Sequence, residues 1–259
     1  MRIALCQIEV GDDPEANLAE VRRALARAEG ADLAVFPEAT MIRFGNDLRA
    51  AAEPLDGPFT TGLREAAREH GTALVAGVFE TAPDGRAFNT AVAVDASGAL
   101  AGAYRKIHLF DAFAFAESRA IAPGDEPVVV ELAGVRIGLI TCYDVRFPEL
   151  ARALVDRGAQ LLVVTASWAQ GVFKEEHWTT LVRARAIENT IWTAAVDKAP
   201  DRDDPPHGAR MGVGRSMLVD PMGVVADLGP FPAVRVLPVD LALTDEVRRA
   251  LPSLEHRRL

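Results

Sequence analysis

The stretch Gly138-Leu-Ile-Thr-Cys142-Tyr-Asp-Val-Arg-Phe-Pro-Glu149 runs an apolar strand directly into a cysteine and then into polar, helix-starting residues. A chain that alternates strands and helices through such junctions packs helices on the faces of a sheet, so the segment points to an α/β protein. It also places a thiol on what reads as an exposed bend. A cysteine inside a strand is usually inert packing. One at the carboxyl end of a strand can turn its sulfur toward a cleft where backbone N–H groups have no strand partner. Cys142 is therefore the candidate nucleophile. Two more apolar runs end in ionisable residues, Ala34-Val-Phe-Pro-Glu38 and Ala103-Tyr-Arg-Lys106-Ile-His-Leu-Phe110.

The rest of the pattern supports the same class. Arg2 to Glu9 reads as a strand, and Asp13-Pro14 supplies a cap and first-turn proline for a helix reaching about Glu29, with Leu18, Val21, Leu25 and Ala28 on one face. Leu33 to Phe36 and Ala73 to Phe79 read as strands, separated by an amphipathic helix from Gly62 to His70 that Gly71 ends. Two hairpins follow, one turning at Asp95-Ala-Ser-Gly98 and one at Ala133-Gly134, so the sheets mix parallel and antiparallel pairs. Beyond Cys142 the pattern predicts a helix from Pro148 to about Arg157, a strand from Leu161 to Val164 and a helix from about Glu175 to Asn189. Strands then cover Ile191 to Val196, Ser216 to Val219, Val224 to Asp227 and Val234 to Val239. No break in composition divides the 259 residues, which read as a single domain over 1–259, and Pro200 to His207 reads as a surface loop.

Composition excludes several function classes. With 49% hydrophobic residues the chain can bury a sizeable core, and its net charge of -9 leaves no basic excess for phosphates, so neither nucleic acid nor an anionic membrane is an expected partner. Two cysteines, Cys6 and Cys142, are too few for a disulfide framework or a four-cysteine zinc site. Cys6 sits mid-strand and reads as structural. No metal-ligand spacing or phosphate-binding glycine loop is present, so no metal and no cofactor is expected. With no apolar run long enough to span a bilayer and no secretory leader in view, a cytoplasmic protein is expected.

A thiol with pKa near 8.5 needs a base or a positive charge to act as a nucleophile at neutral pH, and Glu38 and Lys106 can supply both. If Glu38 lies in the cleft, desolvation raises its pKa and makes it a usable general base. Asp144 and Arg146 follow the nucleophile closely enough to pair with each other or to brace the turn. Among the histidines His108 adjoins a candidate motif, though a lone strand histidine is more often hydrogen-bonded structure. A Cys-His hydrolase using His108 or His177 would be a different mechanism.

Glu38, Lys106 and Cys142 occur in the order in which the nitrilase superfamily of carbon-nitrogen hydrolases carries a glutamate, a lysine and a cysteine. The resemblance runs from Arg2-Ile-Ala-Leu-Cys-Gln7 through Phe36-Pro-Glu38, Arg105-Lys106-Ile-His108 and Cys142-Tyr-Asp-Val-Arg-Phe-Pro-Glu149 to Arg183-Ala-Arg-Ala-Ile-Glu-Asn189. It implies a four-layer α-β-β-α sandwich with mixed sheets, a general base at Glu38 and an oxyanion stabiliser at Lys106 acting beside the backbone N–H of Tyr143. It also implies a second glutamate that orients the lysine, at Glu117, with Asp111 as the other candidate for that position. Trp168 begins a loop that in relatives borders the substrate pocket, with core packing as the other reading, and Tyr143 and Arg146 join it as candidate substrate-binding residues. Lys106-Ile-His-Leu-Phe-Asp111, Phe115-Ala-Glu-Ser118 and Leu251-Pro-Ser-Leu-Glu-His-Arg-Arg258 look most like the branch with ω-amidases and deaminated-glutathione amidases, which act on small amides bearing a carboxylate. In relatives the loop after the Trp168 strand helps choose the substrate, and Ala169 to Lys174 departs from that branch's pattern. The implied activity is a cysteine-dependent amidase that releases ammonia through a thioester. An N-carbamoyl amino acid amidohydrolase and a nitrilase are alternatives of the same class, and a catalytically silent metabolite- or partner-binding protein is the alternative of another class. A homodimer is the implied assembly.

Overall fold

The computed structural model describes residues 1–112, 115–201, 203 and 210–258. In chain order its elements are β1 (Arg2–Gln7), α1 (Pro14–Arg27), β2 (Leu33–Val35), α2 (Leu48–Ala51), α3 (Pro58–His70), β3 (Ala73–Thr81), β4 (Ala87–Val94), β5 (Leu100–Arg105), β6 (Ile121–Ala122), β7 (Val129–Leu132) and β8 (Val135–Thr141). They continue with α4 (Pro148–Asp156), β9 (Leu161–Ala166), α5 (Lys174–Asn189), β10 (Trp192–Asp197), β11 (Met217–Val219), β12 (Val225–Asp227), β13 (Ala233–Pro238) and α6 (Ala242–Ala250).

These strands form two mixed sheets. One has the order β13-β1-β2-β3-β4-β5 with β6 paired to β4, and the other has the order β12-β11-β10-β9-β8-β7. Each is built around three parallel strands, β1-β2-β3 and β8-β9-β10, flanked by antiparallel neighbours. The hairpin turns expected from the sequence are present. Asp95 accepts from Gly98 N at 2.9 Å, and the β7–β8 turn places Ala133 and Gly134 at φ 51° and 73°, the positive pair that a two-residue hairpin loop requires.

The period of two along the strands sorts the layers. Ile3, Leu5, Leu33, Val35, Ala73 and Val75 share one apolar core with Ile137, Leu139 and Val163 of the second sheet. Their chain neighbours Ala4, Cys6, Ala34, Phe36, Leu74 and Ala76 face the other way, onto Val21 and Leu25 of α1 and Leu63, Ala66 and Ala67 of α3. β1 and β2 pack on β10, β5 packs on β7, and α4 and α5 cover the outer face of the second sheet. The result is an α-β-β-α sandwich. Cys6 is fully buried in the helix-facing core, where burial pushes its thiol far up, in keeping with a packing role.

Helix ends follow local chemistry. Asp13 caps α1 by accepting from Glu15 N at 3.0 Å, with Pro14 in the first turn, and Gly71 ends α3 at φ 62°. α3 starts at Pro58, four residues before the sequence pattern suggests. α2, β6 and α6 go beyond the expected set: α2 and β6 are too short to show a period, and α6 buries only Thr244 and Val247. Of the Pro200–His207 loop, Arg202 and residues 204–207 lie outside the described residues.

Strand β3 and the loop after β2 touch backbone to backbone at Gly77. This glycine donates to Pro37 O at 3.1 Å, and its carbonyl accepts from Met41 N at 3.2 Å, so the 37–41 loop lies flat against the strand. A Cβ at Gly77 would sit 2.4 Å from Ala39 N and 2.7 Å from Glu38 Cα. Because the obstruction is backbone, Gly77→Ala should lower unfolding free energy by about 1–3 kcal/mol in urea titrations, and an unchanged midpoint would mean that the loop yields freely.

Candidate active site

Four segments converge at one edge of the sandwich. β2 leads into Pro37 and Glu38, β4 carries Asn89, β5 ends at Arg105 just before Lys106, and a 3-10 turn over Glu117–Arg119 presents Glu117. Glu38, Lys106 and Glu117 are each at most 4% exposed. Lys106 Nζ donates to Glu38 Oε1 at 2.9 Å and to the two oxygens of Glu117 at 3.1 and 2.9 Å. Asn89 Nδ2 spans the same carboxylates, 2.7 Å from Glu38 Oε1 and 3.0 Å from Glu117 Oε1. Backbone amides complete the set: Ser167 N donates to Glu38 Oε2 at 2.8 Å, and Phe110 N to Glu117 Oε2 at 2.7 Å.

Cys142 comes from the second sheet. It opens a 3-10 turn over Cys142–Arg146 immediately after β8, at φ 49°. A non-glycine residue in the left-handed region costs on the order of 1–3 kcal/mol and persists only where its surroundings enforce it. Asp144 provides that enforcement. Its Oδ2 accepts from Thr141 N at 3.1 Å and Tyr104 Oη at 2.7 Å, and its Oδ1 accepts from His108 N at 2.9 Å with His108 Nδ1 2.7 Å away. The carboxylate thus ties the cysteine turn to the strand end that carries Lys106. From below, Arg185 of α5 donates to Val145 O at 3.1 Å.

The bend is not exposed as the sequence suggests. Cys142 is 8% exposed, and it lines a cleft together with Glu38, Lys106 and Glu117. The neighbouring groups set the charges. Burial raises the Glu38 carboxyl; Lys106 opposes this and Glu117 adds to it. Burial alone would lower the Lys106 ammonium, but Glu117 and Glu38 hold it well above its ordinary value. The Cys142 thiol is pushed well up by burial and then by Glu38, against the pull of Lys106, so at rest it keeps its proton. A protonated thiol beside a carboxylate of raised basicity suits proton transfer during attack.

Each residue singled out in the sequence has a definite place. Glu38, Lys106, Glu117, Cys142, Tyr143, Arg146 and Trp168 all line the one cleft. Asp111 instead accepts from Ser118 N on the surface, which leaves Glu117 as the carboxylate that meets the lysine. Asp144 braces the turn and does not pair with Arg146, whose guanidinium lies 5.1 Å from the Trp168 ring centroid. His108 stacks on Phe147 at 3.7 Å and bonds Asp144, and neither it nor His177 lines the cleft, so the geometry offers Cys142 a carboxylate and not an imidazole.

Three contributors were not legible in the sequence. Asn89 reads as an ordinary strand residue, and only the β3–β4–β5 pairing shows that it faces both carboxylates. Asp197, at the end of β10, accepts from Trp168 N at 2.8 Å and Val213 N at 2.6 Å; burial pushes it up to about 7 although both amides favour its ionised form. Lys174 also lines the cleft. An apolar residue would be expected in its place, but no sequence period marks a lysine that turns inward.

An α-β-β-α sandwich with a buried glutamate–lysine–glutamate cluster facing a cysteine at a strand end defines a nitrilase-superfamily hydrolase. The chain belongs to the carbon-nitrogen hydrolase family, whose profile matches residues 2–249, and its relatives include proteins named as amidases. It is 47% identical to the hydrolase Rv0480c of Mycobacterium tuberculosis, over 93% of this chain and 90% of that one. It is 35% identical to a deaminated glutathione amidase of Escherichia coli O157:H7, over 100% and 97% of the two chains. Among solved structures, a glutamate-to-glutamine mutant of the amidase from Nesterenkonia sp. AN1 superposes with a TM-score of 0.82 at 30% identity, covering 99% of this chain and 97% of that one. That mutant shows covalent addition of the acetamide moiety of fluoroacetamide at its active-site cysteine.

The Asp144 bracing makes a separate prediction. Tyr104→Phe removes one donor from a fully buried carboxylate and should lower unfolding free energy by about 1–3 kcal/mol. Chemical denaturation would measure it, and a loss below a few tenths would show that the remaining donors suffice.

Proposed function

We propose that the chain, acting as one carbon-nitrogen hydrolase domain, hydrolyses a small carboxylate-bearing amide of the ω-amidase or deaminated-glutathione amidase kind through a Cys142 thioester. The observation that carries this reading is the buried Glu38–Lys106–Glu117 cluster, shared by Asn89, opening onto the same cleft as the strained Cys142 turn. In this reading the Cys142 sulfur attacks the amide carbon as Glu38 takes the thiol proton. An ammonium carries three hydrogens. With one hydrogen on Glu38 and one shared between the two oxygens of Glu117, Lys106 has a third for the oxyanion, beside the Tyr143 amide at the start of the 3-10 turn. Collapse breaks the C–N bond, and Glu38 returns its proton to the departing ammonia. Water then attacks the thioester with Glu38 again as base, releasing the carboxylic acid and restoring the thiol. Arg146 and Trp168 border the substrate. No step in this reading calls on a cofactor, and a homodimer in a reducing, cytoplasmic setting completes it; among the described residues no helix is long and apolar enough to cross a membrane.

Ammonia release from a panel of α-ketoglutaramate, deaminated glutathione, glutamine, an aliphatic amide, an N-carbamoyl amino acid and a matched nitrile tests the proposal. Turnover of the short carboxylate-bearing amides should appear with wild type and fall to background in Cys142→Ala. Turnover confined to the carbamoyl compound or the nitrile would move the reaction to those classes. Silence across the panel, with Cys142 and Cys6 labelled equally slowly by iodoacetamide, would favour a binding protein.

The electrostatics predict a pH effect. Glu38 must be ionised to accept the thiol proton, so kcat/KM falls as pH drops through its raised pKa. Glu117 is one cause of that elevation. Glu117→Gln should therefore move the acid limb of the pH profile to lower pH, alongside any loss in rate, whereas an unmoved limb would assign it to another group.

A further inference from the structure

At its carboxyl end β9 loses both ladder neighbours. Its pairing with β8 stops at Thr141 opposite Thr165, because the chain turns away at Cys142. On the β10 side the last regular bond runs from Lys198 N to Ala166 O at 3.1 Å. A continued parallel ladder would next join Trp168 N to Lys198 O. Instead Lys198 O accepts from Gly214 N at 3.2 Å, and Gly212 N donates to Trp168 O at 2.8 Å, so residues 212–214 wedge between the two strand ends. The wedge is tight: a Cβ at Gly212 would sit 2.6 Å from Ala199 O and 2.7 Å from Lys198 O.

Asp197 takes up the amides that this wedge leaves without strand partners. Its carboxylate is fully buried and gives one oxygen to each side: Oδ1 accepts from Trp168 N at 2.8 Å and Oδ2 from Val213 N at 2.6 Å. Among the described residues no side-chain cation forms an ion pair with it, and the ammonium of the adjacent Lys198 goes to Asp201. A buried carboxylate without a cation is costly, and what it secures here is the backbone one peptide away from the base. Ser167 N, the amide just before Trp168, donates to Glu38 Oε2 at 2.8 Å. Glu38 Oε1 already accepts from Lys106 and Asn89, which uses both of its lone pairs, whereas Oε2 keeps one for the thiol proton. Ser167 N sets the direction of that lone pair, and Asp197 sets the Ser167–Trp168 peptide.

We propose that Asp197 is a positioning residue for the base: by holding the Trp168 and Val213 amides it keeps the Ser167 amide on Glu38 Oε2, and so aims that oxygen for proton transfer with Cys142. This deepens the amidase reading and rests on it for the role of Glu38. Asp197→Asn keeps the side-chain shape but replaces one acceptor oxygen with an NH2 donor that must face an amide N–H. With the amide that wild type turns over fastest, kcat should fall about ten- to a hundredfold while KM stays within about threefold. An unchanged kcat, or a rise in KM that matches the loss in kcat, would overturn the proposal. Near-ultraviolet circular dichroism and the urea midpoint certify the fold, and Asp197→Ser, with a single hydroxyl acceptor, is the second variant and should show the same split.

A second readout does not require turnover. Alkylation of Cys142 by iodoacetamide calls on Glu38, because the thiol rests protonated. It is measured at pH 8, above the value of about 7 to which burial pushes Asp197. Removing the Asp197 charge by itself eases ionisation of the thiol, and a loosened fold exposes the sulfur, so either effect speeds alkylation. A misaimed base slows it, by about tenfold in Asp197→Asn. In a Glu38→Gln background the same substitution should bring no further slowing, since nothing is left to position. Faster alkylation in Asp197→Asn, or slowing that adds to that of Glu38→Gln, would overturn the proposal. If wild type hydrolyses no amide, the amidase reading fails while this cycle still decides whether Asp197 acts through Glu38.

Discussion

A single buried ammonium organises this protein. Lys106 sits 2% exposed between two carboxylates, and a desolvated charge of this kind is tolerable only if its partners and their remaining lone pairs are satisfied. Here they are, by Asn89 and by the Ser167 and Phe110 amides. The requirement reaches across the molecule, because Glu38 belongs to the first sheet and Ser167 follows β9 of the second. The cluster therefore joins the two halves of the sandwich at the edge where Cys142 emerges. Truncating Lys106 would leave two carboxylates facing each other in a dry site, so the contact that the proposed chemistry uses is needed for stability as well.

A second carboxylate does comparable work for geometry. Asp144 holds Cys142 in a left-handed conformation by accepting from Thr141, Tyr104 and His108, groups drawn from both sheets. Cys142 is thus fixed relative to Lys106 through rigid elements, not through a loop of its own. The thiol rests protonated, because burial and Glu38 together outweigh Lys106. In the proposed reaction the substrate brings its carbonyl between sulfur and ammonium, where the developing negative charge meets preorganised donors.

Charge is divided along the cleft by the same logic. Glu38, Lys106 and Glu117 lie in contact with one another, while Arg146 and Lys174 lie against aromatic rings. Lys174 reaches the cleft only because the preceding loop accepts a left-handed phenylalanine and exposes two apolar residues. Local strain and inverted burial mark the same segment, as strain does at the cysteine turn.

Much of this was legible in the amino-acid order. Apolar runs ending in Glu38, Lys106 and Cys142, caps such as Asp13 before Pro14, and hairpin turns such as Ala133-Gly134 are local patterns. A residue's conformational preference and the period of burial depend on neighbours a few positions away. The α/β class and the principal candidates for the site followed from such patterns and from the order in which the motifs occur. Tertiary structure decided the rest. Asn89 became a bridge between carboxylates because β4 lies between β3 and β5, Asp144 became a brace because Tyr104 arrives from the other sheet, and Cys142 moved from an apparent exposed bend to the floor of a cleft. Lys174 turned inward against its own polarity. For Asn89 and Asp144 the deciding partners lie tens of residues away in the chain, and charge compensation in a desolvated space is set by who is brought together, which no local pattern encodes.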